Sequence, residues 1–136
     1  MGPVNWLAVV VAALAAGGLA LAWFGPLFGR VKKRKVAGGR VMPRARPERV
    51  AALSALLLLV TATMLGHMFA RVGAATLEQK PWLYFMMSGG LAIAFVIPAL
   101  WVSFSHIRVP TRVAAIDAGY WLAAYLVMGS AFFLLG

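Results

Sequence analysis

Charge in this chain is confined to the gaps between four long apolar runs. Val4 to Phe28, Val50 to Ala70 and Pro81 to Ser105 carry no formal charge, and Val113 to Gly136 carries only Asp117. Each run exceeds the roughly 18–20 residues that a helix needs to cross ~30 Å of hydrocarbon. Lipid offers backbone groups no water, so a span must close its own hydrogen bonds, as a helix does. The pattern predicts an all-α membrane protein with one transmembrane domain over residues 1–136. Four helices, about 4–28, 50–70, 81–105 and 113–135, would form an antiparallel bundle. With 63% apolar and 12% charged residues, there is too little polar surface to cover a water-soluble domain. A disordered tail is excluded by the same hydrophobicity.

The loops set the direction. Arg30, Lys32, Lys33, Arg34, Lys35, Arg40, Arg44, Arg46 and Arg49 lie in the first loop, and Arg108 and Arg112 in the third. The second loop has only Arg71 and Lys80, offset by Glu78. The positive-inside rule then makes loops one and three cytoplasmic and places both termini outside, in the periplasm of a bacterial inner membrane. The first run reads as a span and not a cleaved signal: no basic residue precedes it, it is too long, and no small-x-small site follows. Trp6 and Trp82 fall near the outer ends, and Trp23, Phe24, Phe28, Trp101 and Phe104 near the inner ends, as an interfacial belt. Trp121 lies about two turns into its span, which suits contact with a neighbouring helix or a bound molecule.

Small residues mark packing faces. Ala8, Ala12, Ala16 and Ala20 recur every fourth position, Gly90 and Ala94 share a face of the third span, and Gly119 and Ala123 one of the fourth. Such faces bring backbones together where lipid supplies no hydrophobic drive. They serve packing within the bundle or a seam between copies. Gly17-Gly18-Leu19-Ala20-Leu21-Ala22-Trp23 also aligns with Gly89-Gly90-Leu91-Ala92-Ile93-Ala94-Phe95, and Pro26 with Pro98, at an offset of 72. A duplication would make these spans a parallel repeat about the membrane normal. Both prolines are expected to bend or end their helices.

Few residues could carry chemistry. Asp117 is an acid inside a span, near its cytoplasmic start. It suits a proton or cation site there, or a helix-start acid paired with Arg112 or Arg108. His67 lies near the outer end of the second span, where Asn5 is a plausible hydrogen-bond partner. His67 and Asp117 belong to opposite leaflets, so no direct pair is expected. Thr61, Thr63, Ser54, Ser88 and Ser103 can each bond their own helix backbone. His106 stands near Ser103, Ser105 and Asp117, but nothing resembles a nucleophile elbow, and no enzyme is expected. Cysteine is absent, so disulfides and thiolate sites are excluded. No catalytic, cofactor or metal-binding residues are assigned.

The net charge of +10 would suggest nucleic acid in a soluble protein, but no recognition motif accompanies it. Beside a span, Lys32, Lys33, Arg34, Lys35, Arg40, Arg44, Arg46 and Arg49 are expected to contact anionic lipid head groups, at about 1 kcal/mol per residue. The loop could equally serve orientation alone.

Three segments carry a resemblance: Asn5-Trp6-Leu7-Ala8, Trp23-Phe24-Gly25-Pro26-Leu27-Phe28-Gly29 and Asp117-Ala118-Gly119-Tyr120-Trp121. Together the chain resembles a bacterial family of small integral membrane proteins designated a domain of unknown function. The resemblance implies four membrane helices and brings no activity, ligand or catalytic residue. Function is then expected from packing, as a homo-oligomer or an accessory subunit of a membrane complex. The alternative is a small oligomeric transporter or channel for a proton, ion or small solute, with Asp117 and His67 at its two mouths.

Overall fold

The computed structural model describes residues 3–23 and 47–135. Among the described residues every regular element is helical: α1 (Trp6–Ala22), α2 (Pro47–Val72), α3 (Ala74–Gln79), α4 (Trp82–Leu91), a π-helical turn (Ala92–Val96), α5 (Ile97–His106) and α6 (Thr111–Leu135). Three continuous helices, Glu48–Val72, Trp82–His106 and Thr111–Leu135, are long and apolar enough to cross a membrane, and Trp6–Ala22 is a shorter apolar helix. Phe24 to Phe28, Pro26 and the basic residues from Arg30 to Arg46 lie outside the described residues.

Element ends follow local chemistry. α2 starts at Pro47, earlier than the expected Val50. Proline suits a first helical position because its missing N–H would have no acceptor there, and Glu48 favours the positive end of the helix dipole. The expected polar turn from Arg71 to Lys80 is mostly helix. Gly73 breaks the chain at φ 94, and α3 follows with Leu77 buried beneath it. Ala-Ala-Thr-Leu-Glu-Gln, α3 itself, consists largely of strong helix formers.

The third span does not end at Pro98. A proline inside a helix lacks one donor and crowds the carbonyl four residues earlier, here Ala94. The ladder widens to π-helix over Ala92–Val96, around that carbonyl, and α-helix resumes at Ile97.

α6 is the centre. It packs against α1 on one side and against α4, the π turn and α5 on the other, while α2 packs chiefly on α1. The core is narrow. Ala8, Val9, Ala12 and Ala16 of α1 are fully buried, with Leu58, Ala62 and Leu65 of α2 and Ala124 and Met128 of α6. Three of the four alanines expected on a packing face are therefore in the core, and Ala20 is half-buried. In the third span the contact face differs from expectation. Gly90 has open space where a Cβ would stand, and Ala94 is exposed. Ser88, Gly89 and Ala92 are buried instead. Tyr84 sets that register: it packs on Phe69 and Phe133, and Ser88 and Ala92 follow it at intervals of four.

Residues matched at the offset of 72 do not lie at one depth. Ala16 meets Tyr120, whereas Ser88 meets Gly129. Nine residues of α6 separate those partners, about 13 Å of helical rise, so α1 and the third span are displaced along α6. A rotation about the membrane normal would keep matched residues level.

Candidate functional site

The family-like segments meet along one line, between α1 and α6. Asn5 caps α1: its side-chain oxygen accepts from the Ala8 amide at 3.1 Å, and its Nδ2 donates to the Leu135 carbonyl at 2.9 Å. Both groups would otherwise be orphans, one at the start of a helix and one at the end of another. At mid-length the buried Tyr120 hydroxyl donates to the Ala16 carbonyl at 3.0 Å. Near the other end the Trp23 indole N–H donates to the Ile116 carbonyl at 3.0 Å. Gly119 lets the ring lie flat there, since a Cβ would stand 3.2 Å from Trp23 Cζ2. Asn5 meeting Leu135 and Trp23 meeting Ile116 means that α1 and α6 run in opposite directions.

Side chains thus bond main-chain carbonyls at three levels, and a carbonyl has a second lone pair to offer without breaking its helix. Trp23 is more than a belt residue: it is half-buried and anchored. The partner given for Asn5 in the sequence reading was His67. Asn5 is instead engaged by Leu135 and Ala8, while His67 Nδ1 lies 2.8 Å from the Thr63 carbonyl and the ring meets Trp6 edge-on at 5.8 Å. Helix capping claims Asn5 first because the amide it satisfies is three residues away on its own chain.

Asp117 is half-buried, between Ile116, which receives Trp23, and Gly119, which carries its ring. His67 stands at the Trp6 end of α1 and Asp117 at the Trp23 end, levels about 25 Å apart by helical rise. His106 is exposed at the last position of α5. Thr61, Thr63, Ser88 and Ser105 each donate to a carbonyl four residues back in their own helix. Trp121 is half-buried against the core, with its ring 5.2 Å from that of Tyr120. Of the basic residues assigned to lipid, Arg49 is exposed in the first turn of α2, and Lys32, Lys33, Arg34, Lys35, Arg40, Arg44 and Arg46 lie outside the described residues. Among the described residues no three of His, Cys, Asp and Glu gather as metal ligands would.

A second feature is the hairpin from α5 to α6. The Val109 amide donates to the Phe104 carbonyl at 3.0 Å and the Arg108 amide to Ser105 at 3.4 Å, with Arg108 left-handed at φ 52. This is a Schellman helix end, with arginine where glycine is usual. Beside it is a cavity of about 50 Å³ lined by Trp101, Phe104, Ser105, Val109, Thr111 and Ala114.

A family model described as a protein of unknown function, DUF1761, matches residues 7–133. The chain belongs to this family. The match includes Trp23, Gly119 and Tyr120 of the α1–α6 clasp, and Asn5 falls just before it. Comparison with curated proteins and with solved structures gave no match. Sequence reasoning had placed Trp23 and Tyr120 in two of the three family-like segments without a role. The signal that finds one is an aromatic donor opposite a glycine or alanine on the facing helix.

Proposed function

We propose that this family member is a multi-pass protein of the bacterial inner membrane, both termini periplasmic, that works by association and not catalysis. It would act as a homo-oligomer or as an accessory subunit of a larger membrane complex, its four spans an antiparallel bundle and its polybasic loop on anionic head groups. One observation carries the reading. From Glu48 through Leu57 every residue of α2 is exposed on all sides, although seven of these ten positions are apolar, from Val50 to Leu57 with Ser54 excepted. Lipid tolerates such a surface. Helices in lipid nonetheless gain from close packing, and this half of α2 is small-residue-rich (Ala51, Ala52, Ser54, Ala55) without meeting its neighbours.

The chain has no cysteine, so a single introduced thiol reports unambiguously. Leu53→Cys in native membranes is expected to crosslink to a second copy or to another subunit. Ala12→Cys, in the core, should not. A chain that stays monomeric at Leu53 under oxidising crosslinker, in membranes and in mild detergent, would contradict the proposal.

A further inference from the structure

We propose that the hairpin between α5 and α6 binds the phosphate of an anionic phospholipid of the inner leaflet, held between Arg108 and Arg112. The inference rests on the membrane-spanning reading but not on assembly or on the polybasic loop. Arg108 occupies a left-handed position that costs an L side chain and costs glycine nothing. Among the described residues neither guanidinium has a hydrogen-bond or ion-pair partner to offset that cost. Both are exposed, and they bracket Val109 and Thr111, two of the residues lining the cavity.

The cavity, about 50 Å³, is the right size. A water takes roughly 10–15 Å³ by the same measure, so there is room for four or five heavy atoms, a phosphate group. Its rim offers the Thr111 hydroxyl and the first amides of a helix of 25 residues, which have no acceptor within that helix. Arginine pairs favour phosphate oxygens over other anions of that size. What selects a lipid over free phosphate is the wall beside the pocket. α5 buries no residue, and exposed Trp101 and Val102 lead away from the pocket along an apolar face where acyl chains would lie.

The test is native mass spectrometry of the delipidated full-length protein in neutral detergent. Lys32, Lys33, Arg34 and Lys35 are changed to Gln so that the loop does not mask the site. Phosphatidylglycerol is expected to be retained over phosphatidylethanolamine and over inorganic phosphate. Arg108→Gly with Arg112→Ala should weaken that retention about tenfold, since each arginine supplies a charged contact. Lys80→Ala at the other end should leave it unchanged. Arg108→Gly relieves the backbone, so misfolding would not explain a loss, and Thr111→Val, which keeps both charges, should give a smaller one. Equal phosphatidylglycerol retention by the double variant, or no preference over phosphatidylethanolamine, would overturn the proposal. Inorganic phosphate retained as tightly as phosphatidylglycerol would overturn the lipid as ligand. The assay is blind to orientation, so its failure leaves the membrane topology untouched.

Discussion

Gly129 shows how closely two helices are set. A Cβ there would lie 2.8 Å from the Tyr84 carbonyl and would also meet Ser88, whose hydroxyl is already bound to that carbonyl. Backbone cannot step aside cheaply, so Gly129→Ala should cost about 1–3 kcal/mol in detergent unfolding. Gly17→Ala adds a methyl to open space and should be neutral or stabilising by up to about 1 kcal/mol. The same logic separates polar residues. Tyr120→Phe and Trp23→Phe each remove one interhelical donor and should lose about 0.6–2 kcal/mol. Asn5→Ala removes a cap and a clasp together and should lose about 1–2 kcal/mol by the same measurement. These roles were hard to read from sequence because the acceptors are main-chain carbonyls of Ala16, Ile116 and Leu135. A carbonyl exists at every residue and leaves no mark in the sequence. Ala8, Ala12 and Ala16 were legible because close approach demands a small side chain.

Elements differ in how firmly they are held. α4 buries Tyr84, Ser88 and Gly89 against α6, whereas α5, beyond the π turn and Pro98, buries nothing. Within one continuous apolar helix, the tight and loose halves meet where the hydrogen-bond ladder changes register. Hydrogen exchange in nanodiscs is therefore expected to be faster for amides of Ile97 to His106 than for those of Leu83 to Leu91. Equal protection along the whole span would count against this division. Pro98 announced a disturbance in the sequence, but not its form. A proline can end, kink or widen a helix, and packing on either side decides which. The expected pairing of Gly90 with Ala94 missed by one or two positions. Small residues surround the contact face, and only the ring of Tyr84 fixes which of them point inward.

At the scale of the molecule the fold was largely legible, because a bilayer would leave the chain few choices. Long runs without charge become helices, and polar residues collect between them. The described helices, three of spanning length and one shorter, follow those runs closely. What a bundle does once built is less legible, for function would then reside in faces turned to lipid or to partners. Those faces are apolar either way, and their pattern does not distinguish the two. Orientation remains the claim on which the inner-leaflet site and the periplasmic termini both depend. Its most direct test is single-cysteine labelling in intact cells with a membrane-impermeant maleimide. Lys80→Cys is expected to label from outside, and Lys33→Cys and Arg112→Cys only after the membrane is opened. Labelling of Lys33→Cys or Arg112→Cys in sealed cells, with Lys80→Cys protected, would contradict it.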